Sequence, residues 1–162
     1  MKKIPYLLLL LFILIIIGAC NGYKPIFSSS NLNFKIANYS ISGDKNLGTQ
    51  IYNKLYNLSR STETNSEAKN IYILINTSME KKAGAKDSAG KILGYRINLS
   101  ASIKIKDVIT GNEILSENFS YSSTYKKQDQ YFDTVKLENQ TTGALIENLY
   151  QDLLIKLSAK LL

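Results

Sequence analysis

The 162-residue chain has no histidine and only one cysteine, Cys20. Without histidine, neither a Cys-His nucleophile pair nor a His-Cys metal site can be assembled. One cysteine excludes an intramolecular disulfide framework. Long apolar runs are also scarce: the one continuous stretch, Tyr6 to Ile17, has twelve residues, whereas a membrane-spanning helix needs about 20. The remaining candidates for catalysis are carboxylates, and Asp129, Asp133 and Glu138 lie close together in sequence. At the start of a helix such residues serve the helix dipole on a solvated face, so the inventory points away from an enzyme.

The short apolar run has a clear role. Lys2 and Lys3 precede it, and it ends in Ile17, Gly18, Ala19 and Cys20, giving the charged, apolar and small-residue regions of a secretory signal peptide. The last four residues resemble the lipobox of bacterial lipoproteins. That resemblance implies cleavage before Cys20, with a diacylglyceryl group on its thiol and an acyl chain on its new amino group. No other cofactor is expected. Two or more acyl chains anchor stably where one holds marginally. Asn21 is not the aspartate associated with retention at the inner membrane, so the resemblance implies an outer-membrane, lipid-anchored protein facing the periplasm.

We divide the chain into a signal peptide (1–19), a lipidated tether (20–31) and one domain (32–162). Cleavage leaves 143 residues, a length that suits a single core. Loss of Lys2 and Lys3 leaves 18 basic against 13 acidic side chains, a balance of +5 that suits acidic partners such as phosphorylated glycolipid or anionic membrane, and equally an ordinary solvated Lys-rich surface. A nucleic-acid partner is not expected.

Patterning gives the elements. Leu32, Phe34 and Ile36 alternate with polar residues, and Tyr39 and Ile41 continue the pattern out of phase, which predicts a bulged first strand. Leu47, Ile51, Leu55 and Leu58 form a helical stripe starting near Asp44. Ser59 to Lys69 reads as a loop. Ile71, Ile73, Ile75 and Met79 oppose Tyr72, Leu74 and Asn76, the pattern of an interior strand apolar on both sides. Ile97 to Lys106 alternates cleanly, and the turn residues from Asp107 to Asn112 predict an antiparallel hairpin into a strand with Leu115, Glu117, Phe119, Tyr121 and Tyr125 on one face and serines on the other. Gln128 to Leu162 carries a long helical stripe, with a possible bend at Gly143. The order is β-α-β-β-β-α. The predicted class is α+β, a two-layer sandwich with a four-stranded mixed sheet and two helices on one face, leaving a polar sheet face uncovered.

Two motifs are decoys. Gly84 to Lys91 looks like a phosphate loop, yet its glycines are separated by five residues rather than four, and Ile92 replaces the Ser or Thr such a loop requires. Asn-x-Ser triplets at Asn38 and Asn98 arise readily in a chain rich in both residues. A basic cluster is less generic: Lys81, Lys82, Lys86, Lys91 and Arg96 stand against Asp87 alone around the loop between strands two and three. Lys126 and Lys127, at the end of strand four, would lie near Arg96 in an antiparallel hairpin. Such a patch grips phosphates by charge-assisted hydrogen bonds, and its bland reading is a solvated turn.

The lipobox, the Cys20-x-Gly22-Tyr23-x-Pro25 start, the segment Ile92 to Ser100 with Gly94-Tyr95-Arg96, the Thr110-Gly111 turn and the C-terminal amphipathic helix together resemble the LPS-assembly lipoprotein family, LptE, most closely its alphaproteobacterial branch. The resemblance implies an outer-membrane lipoprotein that plugs the large β-barrel translocon LptD, helps it assemble, and assists lipopolysaccharide transport to the cell surface. It also implies lipopolysaccharide contact through the basic loop and the start of the last helix, here Lys86, Lys91 or Arg96, and Lys136; the charge cluster adds Lys81 and Lys82 as candidate lipopolysaccharide-binding residues. The alternative is a structural or adaptor lipoprotein of another envelope complex. A carboxylate enzyme acting on a carbohydrate is a third class.

Overall fold

The computed structural model describes residues 32–61 and 68–161. Residues 1–31, with the expected signal peptide, Cys20 and the expected tether, lie outside the described residues. Strand β1 (Phe34–Gly43) leads into helix α1 (Lys45–Ser61), followed by β2 (Lys69–Lys86), β3 (Ile92–Asp107), β4 (Glu113–Lys126) and helix α2 (Tyr131–Leu161). The sheet order is β1-β2-β3-β4, with β1 parallel to β2 and the other neighbours antiparallel. It is the mixed α+β sheet the patterning predicts.

The bulge in β1 falls where the phase changes. Ile36 pairs with Ile71 and Asn38 with Tyr72, which leaves Ala37 as the extra residue. It returns Tyr39 and Ile41 to the face of Ile73 and Ile75. Gly43 closes the strand at φ 76°, a left-handed conformation natural to glycine. A Cβ there would lie 2.0 Å from Thr77 O, so two constraints converge on one position.

Asp44 caps α1, its Oδ1 accepting from Leu47 N at 3.1 Å, and such a cap contributes about 1 kcal/mol. The same residue docks the helix on the sheet. Asp44 N donates to Thr77 O, and the buried Thr77 hydroxyl donates to Asp44 O at 2.7 Å. Leu47, Ile51, Leu55 and Leu58 then meet Ile71, Ile73 and Ile75 in the core.

Helix α2 starts three residues later than the sequence pattern suggests and runs through Gly143 without a break in its helical assignment. Its two halves differ. Up to Ala144 only Thr134 is buried, whereas Leu145, Ile146, Leu149, Leu153 and Leu157 are buried against the sheet. Among the described residues no helix is long and apolar enough to cross a membrane.

Strands β2 and β3 are longer than expected. They pair out to Lys86 and Ile92, so Lys81, Lys82 and Arg96 lie on strands, and only Asp87 to Lys91 turn. The molecule therefore has two ends. The chain enters beside the β3–β4 turn, while the β2–β3 hairpin tip, the end of β4 and the start of α2 share the far end.

Candidate functional site

The far end carries a groove of about 780 Å³ lined by Gly84, Ala85, Leu93, Gly94, Tyr95 and Arg96 and by Thr124 to Lys127. Its shape follows from small residues on adjacent strands. A Cβ on Gly94 would sit 2.8 Å from Tyr125 O, and one on Gly84 would sit 3.1 Å from Tyr95 C. Glycine at these two positions thus lets three backbones approach closely along the groove. A hollow of about 230 Å³ adjoins it, lined by Lys91, Ile92, Leu93, Lys127, Gln128 and Asp129.

The sheet divides the basic cluster. Lys82 and Arg96 face each other across β2 and β3 in register, next to Thr124, on the open side. Lys82 pairs with Glu80 at 2.8 Å, both well exposed, a contact worth little. Lys86 and Lys91 flank the exposed tip. There the Asp87 carboxylate is held by Ala89 N at 3.0 Å and Lys91 N at 2.9 Å. Lys126 is opposite Gly94 and lines the groove with Arg96 and Lys127, which joins the end of β4 to the basic patch. Lys136 is exposed on α2. Among the described residues no carboxylate lies within ion-pair distance of Lys86, Lys91, Arg96, Lys126, Lys127 or Lys136.

Lys81 is different. It points to the helix side, where its ammonium ion-pairs with Glu138 of α2 and stands 4.6 Å from the centre of the Tyr95 ring. The Tyr125 hydroxyl donates to the same Glu138 oxygen at 2.8 Å. The hydrogen bond to Glu138 drives the Lys81 pKa up to about 12. Burial pushes the Glu138 carboxyl up, but hydrogen bonds from Lys81 and Tyr125 outweigh it and leave the carboxyl below its usual range. Burial, with the Glu138 hydrogen bond second, raises the Tyr125 phenol. Lys81 therefore fastens the hairpin to α2, and its charge is neutralised before any ligand arrives. Sequence reasoning grouped it with the free cations because Glu138 lies 57 positions away.

Asp133 occupies the first turn of α2, Asp129 precedes it, and Glu138 is committed to Lys81. Among the described residues no cluster of His, Cys, Asp or Glu could hold a metal ion.

A second surface is the uncovered sheet face. Ser40 and Ser42, Asn76 and Ser78, Ser100 and Ser102, and Asn118 and Ser120 project from it, and two shallow hollows of about 320 and 290 Å³ meet at Asn76 and Ser102. This is the wet face the serine pattern predicts.

The fold recurs in solved structures. An uncharacterised lipoprotein B from Nitrosomonas europaea superposes with a TM-score of 0.57 at 16% identity, covering 85% of this chain and 91% of that one. A candidate lipoprotein from Caulobacter crescentus gives 0.56 at 14% identity, covering 81% and 92%. At these identities the likeness is one of fold, and it spans the domain nearly end to end. No protein-family model matches the sequence, and no curated protein does either.

Proposed function

We propose that the chain is an outer-membrane lipoprotein, anchored through lipid on Cys20, that serves as a plug and adaptor for the LptD β-barrel and assists lipopolysaccharide transport and insertion. The observation that carries the reading is the end-to-end fold likeness to two lipoprotein structures in a chain whose N-terminus has a lipobox pattern. A sheet face rich in serine and asparagine suits the polar interior of a large barrel. An apolar groove rimmed by Arg96, Lys126 and Lys127 suits an amphiphile with phosphates, for which lysine acts as a point-charge binder. No enzymatic activity is proposed.

The test is a gentle detergent pull-down of the full-length tagged protein. Recovery of a large outer-membrane barrel in about equal amount supports the reading; recovery of another envelope complex moves it to the adaptor alternative. Cysteines placed at Ser100 and Ser120 should be shielded from a water-soluble label in the barrel complex. Full labelling at both would exclude docking through this face.

A further inference from the structure

At the end opposite the groove, the β3–β4 turn carries two of the most exposed apolar side chains among the described residues. Val108 is 49% and Ile109 82% exposed. Apolar groups at a turn tip bury nothing inside this domain and are free to meet an apolar environment outside it; Tyr131 and Phe132, comparably exposed, lie at the groove end instead.

The backbone of the turn needs no water for its donors. Asp107 N donates to Asn112 O and Val108 N to Asn70 O, each at 2.9 Å. Ile109 N and Thr110 N both donate to Asp107 Oδ1, at 2.8 and 3.0 Å. Gly111 N reaches Asp107 O, and Asn112 N reaches Thr110 Oγ1. Every N–H from Asp107 to Asn112 is thus donated within the protein. Removing such a turn from water avoids the cost of stranded donors, the main obstacle to placing irregular backbone at a membrane surface.

The turn also lies where the chain comes in. Lys69 N donates to Asn33 O, and Val108 N to the adjacent Asn70 O, so the entering strand and the turn flank the start of β2, about 10 Å apart at two inter-strand spacings. The eleven residues between Cys20 and Leu32 reach at most about 40 Å when fully extended. Exposed Lys35, Lys69 and Lys106 lie at the same end of the sheet as the apolar tip, with the carboxylates of Asp107 and Glu113. Lysine stems beside apolar side chains let the ammonium groups remain among anionic headgroups while the tip enters the interface.

We propose that Val108 and Ile109 form a finger that inserts into the anionic bilayer interface beside the lipid anchor and fixes the orientation of the domain on the membrane. The inference rests on the reading of Cys20 as the anchor. A weak finger suffices, because the anchor already holds it at high local concentration. The groove is then held away from the anchoring leaflet, at the far end of the 18-residue strand β2, about 60 Å long.

The chain contains no tryptophan, so Ile109→Trp supplies a unique reporter at a site whose exposure leaves the core untouched. The full-length lipidated protein is reconstituted into phosphatidylethanolamine–phosphatidylglycerol vesicles and floated, with Ser120→Trp on the sheet face as control. Blue-shifted emission, quenched by brominated acyl chains, is expected at position 109 and not at 120. Flotation with position 109 as open to acrylamide as position 120 would overturn the finger and leave the anchor standing. Failure to float would overturn both.

Discussion

Single residues set the precision of the far end. Lys81 and Glu138 are 39% and 25% exposed at the side chain, and a pair this wet is worth about 1 kcal/mol or less. Glu138 has a folded pKa below its unfolded value, so its contribution is present above the usual carboxylate pKa of 4.5 and is lost as pH falls through the lower folded value. Lys81, raised to about 12 from 10.5, contributes fully below the unfolded value and loses that contribution as pH rises through the folded one. Glu138→Gln should therefore flatten the acid side of the stability profile below about pH 4.5, read by urea unfolding at several pH values. An unchanged acid limb would show that the pair contributes nothing. Gly94→Ala forces a Cβ toward Tyr125 O at 2.8 Å, and an overpacked contact of this kind costs about 1–3 kcal/mol. A melt indistinguishable from wild type would mean that β3 and β4 shift apart freely there.

At the scale of elements, legibility follows burial. β3 was readable because Ile97, Leu99, Ala101, Ile103 and Ile105 alternate on the buried face of the sheet, and the β1 bulge because Ile36 and Tyr39 fall out of phase across Ala37. The outer half of β2 was not readable. From Ser78 to Lys86 every residue is exposed, so no face demanded apolar side chains and the period vanished although the strand continued. The groove was hidden for a related reason, since it is made by the absence of side chains at Gly84 and Gly94. The divided α2 gives a direct test. Leu149→Ala in its buried half should cost about 2–5 kcal/mol, while Val135→Ala in its outer half, which is only half-buried, should cost much less. Equal losses in denaturant midpoint would contradict the division.

For the whole molecule, the proposed reading gives the two ends different tasks. Arg96, Lys86, Lys91 and Lys136 replaced together by alanine should weaken lipopolysaccharide binding several-fold and reduce its salt dependence, because exposed charges act most strongly at low ionic strength. Lys81→Met should affect stability more than binding, since its charge is already matched by Glu138. Equal binding by the fourfold variant at low salt would remove the cationic rim from the ligand site.

The parallel pairing of β1 with β2 has a kinetic consequence. β2, β3 and β4 meet through turns of five residues each, whereas Phe34 must find Lys69 across the whole of α1. Loop closure over that separation costs more entropy before any contact repays it. The meander should therefore form first and β1, the part next to the proposed anchor, should dock last. Pulse-labelled hydrogen exchange during refolding would show amides of β3 protected before those of β1; the reverse order would refute it. A chain delivered to its membrane in this way would carry a pre-formed meander while its first strand still waits to add to the sheet.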